Sequence, residues 1–358
     1  MNSRELTISV VVPAYNRADL ISRSLDSILA QTRPADEIIV VDDGSKDSTP
    51  DILRAYEKHG VTTKRIENSA DLVARNTGLR MARGDLVAFC DSDDLWRPGH
   101  LALIDGLWRQ YPDLHAAFTN FVIRQGDTVT AETKFASAPF GFWKNLIRVD
   151  EQWGLFPENF VEEIVSFNPF FPSCMAARRS FLLGIGGWYE GVGRSVSKDF
   201  ATTLLLAEHP PLGVVFTPTV EIRKHDSNYS GDVQAMNLGE AFILEHVLER
   251  RPSLEAFRQQ IGQSIARRRR DALEIAFSRR DFDAVRKIYE LLPKSSTSTK
   301  ISIKRFVAGM PSPVREGVAR LLLAAGSAKR LHGTGQRLAS ASAGDASVTD
   351  PRPGLARD

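Results

Sequence analysis

Three carboxylates stand within four positions in the stretch "FCDSDDLW", residues 89–96, directly after an apolar run. Close carboxylates repel one another and lose hydration beside a buried strand, so we expect a nearby opposing charge, most simply a cation. Asp91 and Asp93 lie two positions apart, which in an extended segment places both side chains on one side. Their oxygens suit a hard divalent ion, Mg²⁺ or Mn²⁺. The alternative is that Asp93 and Asp94 cap a helix after Pro98.

Strand-like and helix-like patterns alternate over the first hundred residues and would position this acidic stretch. Helical stripes separate the strand-like runs, and Asn16 is well placed to cap the first helix. Strands alternating with helices through short loops predict an α/β fold, a doubly wound, mostly parallel sheet flanked by helices. The predicted strands are 6–13, 37–45, 62–67, 86–91 and 115–123.

Three of these strands end in polar signals, "VVPAYNR", "VVDDGS" and "FCDSDD". Ligands of open parallel sheets bind at the carboxyl edge of the strands, so Tyr15, Asp43, Asp91 and Asp93 are expected in one crevice. No GxGxxG or GxxxxGK[ST] pattern is present, which argues against the phosphate-binding loops of Rossmann dehydrogenases and P-loop enzymes. A phosphorylated ligand would instead be neutralised by a metal ion and by arginine.

The net charge of +2 hides an asymmetry along the chain. Residues 1–247 carry 24 Lys and Arg against 33 Asp and Glu, whereas residues 248–337 carry 20 against 8. This split suggests that the C-terminal part meets an anionic surface. A run of four arginines, Arg267 to Arg270, lies in its helical core, and an apolar stripe beside basic residues follows around Leu321. The stripe fits an interfacial helix on anionic lipid, or equally a solvated helical face; nucleic acid is not expected, because few aromatics accompany the basic segments.

The cysteine count and hydropathy limit the class of protein further. Cys90 and Cys174 cannot form a disulfide framework, and Cys90 is expected to be a small buried residue. No apolar run reaches the roughly 18 to 20 residues that a membrane-spanning helix needs. The first residues lack a signal-peptide pattern, so we expect a cytoplasmic protein.

Four motifs, "VVPAYNR", "VVDDGSKDST", "ARNTGLRMARGDLVAFCDSDD" and "GGW…KDFATTLLL", occur in order over roughly residues 5–230. This series resembles the successive motifs of family-2 nucleotide-sugar glycosyltransferases with the GT-A fold. The predicted domains are a catalytic domain at 1–235, with a nucleotide-sugar half at about 1–123 and an acceptor half at about 124–235, a helical extension at 236–292, a basic, partly amphipathic segment at 293–337, and a disordered tail at 338–358.

The resemblance implies a nucleotide site at the first strand ends. Pro13 and Tyr15 would line the base, with Tyr15 stacking on it, and Asp43 would accept a hydrogen bond from a base N–H. Arg75 in "ARNTG" would approach the base or the diphosphate, and Asn76 would brace that turn. The structural alternatives are that Asp43 caps its own turn and that Arg75 is an ordinary position on a helix surface.

The resemblance also implies a metal site. Asp91 would contact the ribose, and Asp93 would hold the Mn²⁺ or Mg²⁺ ion that bridges the diphosphate. His225, in a segment resembling the Arg-x-His end of such catalytic domains, would be the third protein ligand or a diphosphate contact. A lone histidine is as readily a surface or packing residue.

By the same resemblance, Asp199 would be the base that takes the proton of the acceptor hydroxyl in a single, inverting displacement. The family usually has Glu-Asp here, whereas this chain has Lys198 before Asp199. A neighbouring lysine is expected to lower the pKa of Asp199 and weaken it as a base, unless it points toward phosphates or an anionic acceptor. Glu190 is the alternative base, and Asp199 as a plain helix-start residue is the structural alternative.

Together these observations predict a metal-dependent inverting glycosyltransferase that uses a nucleotide sugar, most simply a UDP-sugar. The acceptor would be a glycan or a lipid-linked hydroxyl compound, and the basic C-terminal part could hold the enzyme at an anionic membrane surface. Two alternatives stay open, a catalytically inactive nucleotide-sugar binder and a nucleotidyltransferase; the latter would be expected to show a Gly-rich basic loop near its N-terminus, and "VVPAYNRADL" lacks one.

Overall fold

A computed structural model describes residues 5–224 and 231–324. The chain divides into two compact units, Met1–Arg268 and Arg269–Asp358. The first unit contains one mixed β-sheet. Its strands are β1 (Ile8–Ala14), β2 (Glu37–Asp42), β3 (Val61–Arg65), β4 (Leu86–Phe89), β5 (Leu95–Trp96), β6 (Ala116–Gln125), β7 (Thr128–Val129), β8 (Ile147–Arg148), β9 (Trp153–Phe156), β10 (Met175–Arg178) and β11 (Leu212–Lys224).

The strand order is β3-β2-β1-β4-β10-β6-β11-β9-β8, with β5 paired to β11 and β7 to β6. The four strands β3, β2, β1 and β4 are mutually parallel, and β6 runs parallel to β11. Strand β10 inserts antiparallel between β4 and β6. The predicted α/β sheet flanked by helices is therefore confirmed, with antiparallel strands confined to the half beyond β4.

Helices cover the sheet because each presents an apolar stripe to it. Every residue of β1 is buried, as its continuous apolar run predicts, and α1 buries Ile21, Leu25 and Ile28. The helices of this part are α1 (Ile21–Leu29), α2 (Thr49–Tyr56), α3 (Asp71–Met81), α4 (His100–Gln110), α5 (Val161–Ser166), α6 (Arg179–Gly184), α7 (Phe200–Ala207) and α8 (Val233–Arg250).

Asn16 does not cap the first helix, so that expectation is wrong. Helix α1 begins five residues later, at Ile21, and Asn16 instead has a left-handed backbone with φ of 51°. Its Oδ1 accepts from the backbone N–H of Lys46 at 2.8 Å, and its own N–H donates to Ser45 Oγ at 2.9 Å. Asparagine tolerates this conformation and bonds locally, which is why it ties the loops after β1 and β2 together.

Strand β11 continues well beyond its apolar start, "LGVVF", and spans 13 residues. It pairs with β6 from Leu212 to Lys224, with register shifts around Pro218 that let the ladder continue past the proline. Its last residues, Arg223 and Lys224, therefore reach the same part of the sheet as the acidic stretch.

The aromatic-rich segment 124–171 packs on the sheet as a cluster. Phe135 contacts Trp143, Phe170 and Phe216 with ring centroids 5.2 to 5.9 Å apart, in edge-on arrangements. Such pairs each contribute about 0.5–1.5 kcal/mol beyond their buried area. The segment thus extends the core of the sheet, although its sequence shows no regular period.

Helix α9 (Arg258–Ser278) begins in the first unit and ends in the second, which also holds α10 (Phe282–Glu290), α11 (Thr299–Ala308) and a helical stretch at 312–324. None of the described helices is long and apolar enough to cross a membrane. Cys90 and Cys174 are both buried and unbridged, as expected for Cys90. The predicted disordered tail, 338–358, lies outside the described residues.

The glycine of "ARNTG" allows helix α3 to lie directly on β1. A Cβ at Gly78 would stand 2.3 Å from Cγ1 of the buried Val11, whereas one at Gly262, on α9, would meet nothing within 4 Å. We expect Gly78→Ala to lower the free energy of unfolding by about 1–2 kcal/mol, since overpacking exceeds the gain in helix propensity. The matched variant Gly262→Ala should raise it by up to about 1 kcal/mol. Denaturant unfolding measures both, and equal effects of the two substitutions would contradict this packing.

Candidate active site

The ends of three adjacent parallel strands form the edge at which the polar residues meet. Ala14 at the end of β1 pairs with Asp42 at the end of β2, and Val11 pairs with Phe89 at the end of β4. Tyr15, Asp43 and the acidic stretch therefore follow neighbouring strands at one carboxyl edge, as expected for a ligand crevice.

Asp91, Asp93 and Asp94 form an acidic cluster at this edge. One carboxylate oxygen from each lies within 4.8 Å of the others. The segment is a turn, closed by a 3.1 Å bond from Asp94 N–H to Asp91 C=O, rather than the extended piece assumed from the sequence. The turn explains why Asp94 joins the two predicted aspartates.

Asp94 does not cap the following helix. That helix, α4, begins at His100 behind Gly99, without any side-chain cap, so the capping alternative for Asp93 and Asp94 is wrong. Asp94 is buried, and its carboxylate accepts from Ser173 Oγ at 2.5 Å and from the N–H of Arg223 at 3.0 Å. These two hydrogen bonds fix the conformation of the turn and the orientation of the Asp94 carboxylate.

Burial and mutual repulsion make the cluster hold protons more tightly. Burial raises the pKa of Asp94 well above its usual range, and the charges of Asp93 and Asp91 add to that rise. Burial also raises the pKa of Asp91, although Arg75 opposes it. A divalent cation would relieve this repulsion, and an all-oxygen donor set fits Mg²⁺ or Mn²⁺. His225, the predicted third ligand, lies outside the described residues.

Arg75 connects the cluster to the helix behind it. It is buried, with Nη1 2.7 Å from Asp71 Oδ2 and Nη2 2.5 Å from Asp91 Oδ1, and it lies over the ring of Trp188 at 5.0 Å. The two carboxylates hold its pKa above the ordinary value despite burial. Arg75 is thus not an ordinary helix-surface residue, and in this arrangement it positions Asp91.

Asn76 fastens the Gly-rich turn after α6 to α3. Its Oδ1 accepts from Trp188 N–H at 2.8 Å, and its Nδ2 donates to Trp188 C=O at 2.8 Å and to Glu190 Oε1 at 2.6 Å. Gly187, at φ of 76°, is required here because a Cβ would lie 2.3 Å from Asn76 Oδ1. Asn76 was expected to brace a turn, and the turn that it braces is this one, which is distant in sequence. Its side chain also holds Glu190.

Asp199 stands immediately before helix α7, and its carboxylate makes no cap bond there. Burial raises its pKa to about 6, against the opposing effect of Arg75. The expectation that Lys198 lowers the pKa of Asp199 is therefore wrong. Lys198 Nζ instead lies 2.8 Å from Asp71 Oδ1, the carboxylate that also binds Arg75.

The residues predicted to bind the nucleotide lie at the same carboxyl edge, at the ends of β1 and β2. Pro13 is buried in β1, whereas Tyr15 is 38% exposed beside it. Asp43 is buried and accepts from the N–H groups of Ser69 at 2.7 Å and Ala70 at 3.0 Å. Asp43 thus fixes the loop before α3, in which Asn68 Nδ2 also donates to Asp43 Oδ2 at 3.4 Å.

Asp94 and Lys198 are the site residues whose placement sequence reasoning missed. The DxDD spacing gave a signal for Asp94, because a tight turn brings positions i, i+2 and i+3 together. No local signal pairs Lys198 with Asp71, since 127 positions separate them in the chain.

Comparison with known proteins agrees with this architecture. The structure resembles S. aureus TarS 1-349 in complex with UDP-GlcNAc, with a TM-score of 0.57 and 18% identity over 81% of this chain and 83% of that one. It also resembles mannosyltransferase PcManGT from Pyrobaculum calidifontis in complex with GDP-Man and Mn²⁺, with a TM-score of 0.52 and 20% identity over 92% and 81%. The fold is therefore of the GT-A type.

Curated relatives match a shorter stretch more closely. TuaG of Bacillus subtilis, named for teichuronic acid biosynthesis, is 46% identical over 99 residues, 26% of this chain and 38% of its own length. The poly(ribitol-phosphate) beta-glucosyltransferase of Bacillus spizizenii is 46% identical over 95 residues, 25% of this chain and 15% of its own. The chain thus aligns with well under half of either relative.

The fold and the acidic strand-end site together define a GT-A-type glycosyltransferase domain. Residues 9–182, just under half of the chain, match the model of glycosyl transferase family 2. The family resemblance is thereby confirmed over the first three sequence motifs; the fourth, "GGW…KDFATTLLL", begins at residue 186, beyond the matched stretch.

The acidic cluster predicts a measurable metal effect. We expect Mn²⁺ or Mg²⁺ to raise the Tm of the protein by a few degrees at saturation, because a ligand that binds only the native state stabilises it. Asp93→Asn should remove most of this rise. The matched variant Asp51→Asn, at an exposed carboxylate on α2, should keep it. Differential scanning fluorimetry measures these Tm values. An equal rise in Tm for the two variants would mean that the ion binds elsewhere.

Proposed function

We propose that this protein transfers a sugar from a nucleoside diphosphate sugar, a UDP-sugar, to an acceptor hydroxyl with inversion at the anomeric carbon. The observation that carries this proposal is one electrostatic network. It joins the acidic cluster to Asp199 through Arg75 and Asp71. The network supplies both requirements of the reaction, a site for the leaving diphosphate and a base for the acceptor.

The donor would lie along the carboxyl edge of β1, β2 and β4. Tyr15 offers an exposed ring for stacking on the base, and Asp43 closes the end of the crevice with its carboxylate. The neighbour TarS was crystallised with UDP-GlcNAc and PcManGT with GDP-Man, so this fold accommodates either nucleotide. Uridine is our proposal for this chain.

Asp93 and Asp91 would hold the divalent ion, with Asp94 behind them as the buried support. When bound, the ion stabilises the negative charge that develops on the departing diphosphate. The contribution of the chain is preorganisation: Ser173, Arg223 and Arg75 fix the three carboxylates through the bonds described above.

Asp199 would take the proton from the acceptor hydroxyl as the new glycosidic bond forms. A base works best when its pKa lies near the working pH, and a value of about 6 leaves most of the carboxylate ionised at pH 7 while strengthening it as a proton acceptor. Because Lys198 pairs with Asp71, the argument for an inactive binder, which rested on this lysine, loses its basis.

We propose a cell-envelope glycan as the acceptor class. The support is the names of two relatives, one attached to teichuronic acid biosynthesis and one to poly(ribitol-phosphate).

The role of Asp199 can be tested by transfer kinetics. Asp199→Asn should lower kcat/KM by about 10²–10⁴-fold with UDP affinity unchanged, since general bases typically contribute that much. In the wild type, kcat/KM should rise roughly tenfold per pH unit below pH 6 and level off above it, because only the deprotonated carboxylate accepts a proton.

Glu190→Gln is the matched control, since glutamine can still accept the bond from Asn76. It should leave the rate and the pH profile close to wild type. If Glu190→Gln abolished transfer and Asp199→Asn did not, Glu190 would be the base.

We further propose that the second unit meets an anionic membrane surface. The run from Arg267 to Arg270 gives this proposal less support than four free surface charges would. Arg268 is buried against Glu240, and Arg267 donates to Ser166 C=O. The support comes from exposed apolar side chains beside basic ones: Phe306 is 69% and Leu321 72% exposed. Of the predicted stripe, Ala325 lies outside the described residues.

Vesicle co-sedimentation tests this surface. Phe306→Ser with Leu321→Ser should weaken binding to vesicles containing phosphatidylglycerol by about tenfold or more, because each buried side chain contributes about 1.5–3 kcal/mol. Phe140→Ser, at a fully exposed residue of the first unit, is the control and should change nothing. Binding that ignored both the lipid charge and the double substitution would remove the proposal.

A further inference from the structure

A cavity of about 250 Å³ opens beside the acidic cluster, in the first unit. Its walls carry four cationic side chains from three parts of the fold, namely α1, the β6–β7 hairpin and the end of β11. The side chains that matter are Arg23, Arg124, Arg223, Lys224, Asp127 and Leu95.

The cavity adjoins the candidate active site through Arg223 and Leu95. The backbone N–H of Arg223 donates to Asp94, and Leu95 is the residue that follows Asp94 in the chain. A group bound in the cavity would therefore lie next to the reacting atoms, on the Asp93–Asp94 side of the cluster.

The guanidinium of Arg223 points to a ligand. Its Nη1 is buried and has no hydrogen-bond partner within residues 5–224 and 231–324. A buried donor on a charged group without an acceptor costs more than a neutral one, so such an atom is expected to face a bound acceptor.

The lining of the cavity is itself unbalanced toward the positive side, with four cationic side chains and one carboxylate. Arg124 Nε lies 2.6 Å from Glu221 Oε2, but Arg97 also binds that carboxylate, at 3.2 Å, so one acid serves two arginines. Asp127 is the acidic residue of the lining. From outside the lining, Asp93 and Asp94 also act on Arg223 and Lys224. Convergent arginines suit a phosphate or carboxylate, which guanidinium groups bind in a forked geometry.

We propose that this cavity binds an oxyanion of the acceptor, a phosphate ester or a carboxylate. The inference rests on the proposed glycosyl transfer and narrows its acceptor to an acidic one. A cavity of this volume would hold only part of a ligand, since pockets that bind whole small molecules begin at roughly 300 Å³.

The diphosphate of the donor is the other possible source of an oxyanion. Arg223 is the arginine of the Arg-x-His segment, which the family resemblance links to the diphosphate, whereas Arg23 and Arg124 stand outside the family motifs. The acceptor therefore accounts better for the charge on α1 and on the hairpin.

Isothermal titration with inorganic phosphate tests the site in the full-length protein saturated with UDP and Mg²⁺. Wild type should bind phosphate, and Arg23→Ala should weaken that binding by about tenfold, the usual effect of removing one charged hydrogen-bond donor. Arg23 is exposed, so its loss should not impair folding. Arg54→Ala, at an arginine with a 69% exposed side chain on α2, is the matched control and should bind phosphate as wild type does.

Three results would overturn the proposal: no phosphate binding to the UDP-saturated protein, displacement of phosphate by UDP, or equal affinities in Arg23→Ala and Arg54→Ala. Displacement by UDP would assign the cavity to the donor diphosphate. Failure of UDP itself to bind would instead contradict the proposed function, and phosphate titration of the UDP-free protein would still report on the cavity.

Discussion

The structure depends on one electrostatic constraint, the placing of three carboxylates within 4.8 Å at the end of a buried strand. Asp91, Asp93 and Asp94 would repel one another, and each receives a partner from a different element. Helix α3 supplies Arg75, β11 supplies a backbone N–H, and the loop after β1 supplies Arg17, 3.5 Å from Asp93. Bringing these elements to one edge is what the parallel order of β2, β1 and β4 achieves. The sheet therefore concentrates negative charge at one edge, where a divalent cation would compensate it; in our proposal the same ion meets the donor diphosphate.

The cluster has two differently charged sides, and this asymmetry gives the site a direction. On the Asp91 side, Arg75, Asp71 and Lys198 form a chain of ion pairs that ends beside Asp199. Because Lys198 is held by Asp71, burial dominates the pKa of Asp199 and raises it to about 6. On the Asp94 side lies the basic cavity. In our proposals, Asp199 on one side takes the proton of the acceptor hydroxyl, and the basic cavity on the other side holds an oxyanion of the same acceptor.

Much of the fold and part of the site could be predicted from local sequence. Continuous β-branched runs identified the buried strands, and the acidic strand ends located the crevice, because period and strand direction are local properties. What failed depends on long-range pairing or on turn geometry. Asn16 was expected to cap a helix and instead joins two loops; Lys198 was judged by its neighbour in sequence rather than by Asp71. The run at Arg267 to Arg270 looked like free surface charge, yet Arg268 is buried against Glu240. Only the tertiary structure decides which opposite charge each of these side chains meets.

The central claim is that the acidic cluster holds a divalent ion together with a nucleoside diphosphate. Anomalous diffraction at the manganese edge, from crystals grown with MnCl₂ and UDP, tests it most directly. The account predicts a single strong peak about 2 Å from a carboxylate oxygen of Asp93, the distance typical of small divalent ions and oxygen, with the diphosphate on its open side. Bound UDP with no manganese peak at Asp91 or Asp93, or a peak at another site, would contradict it.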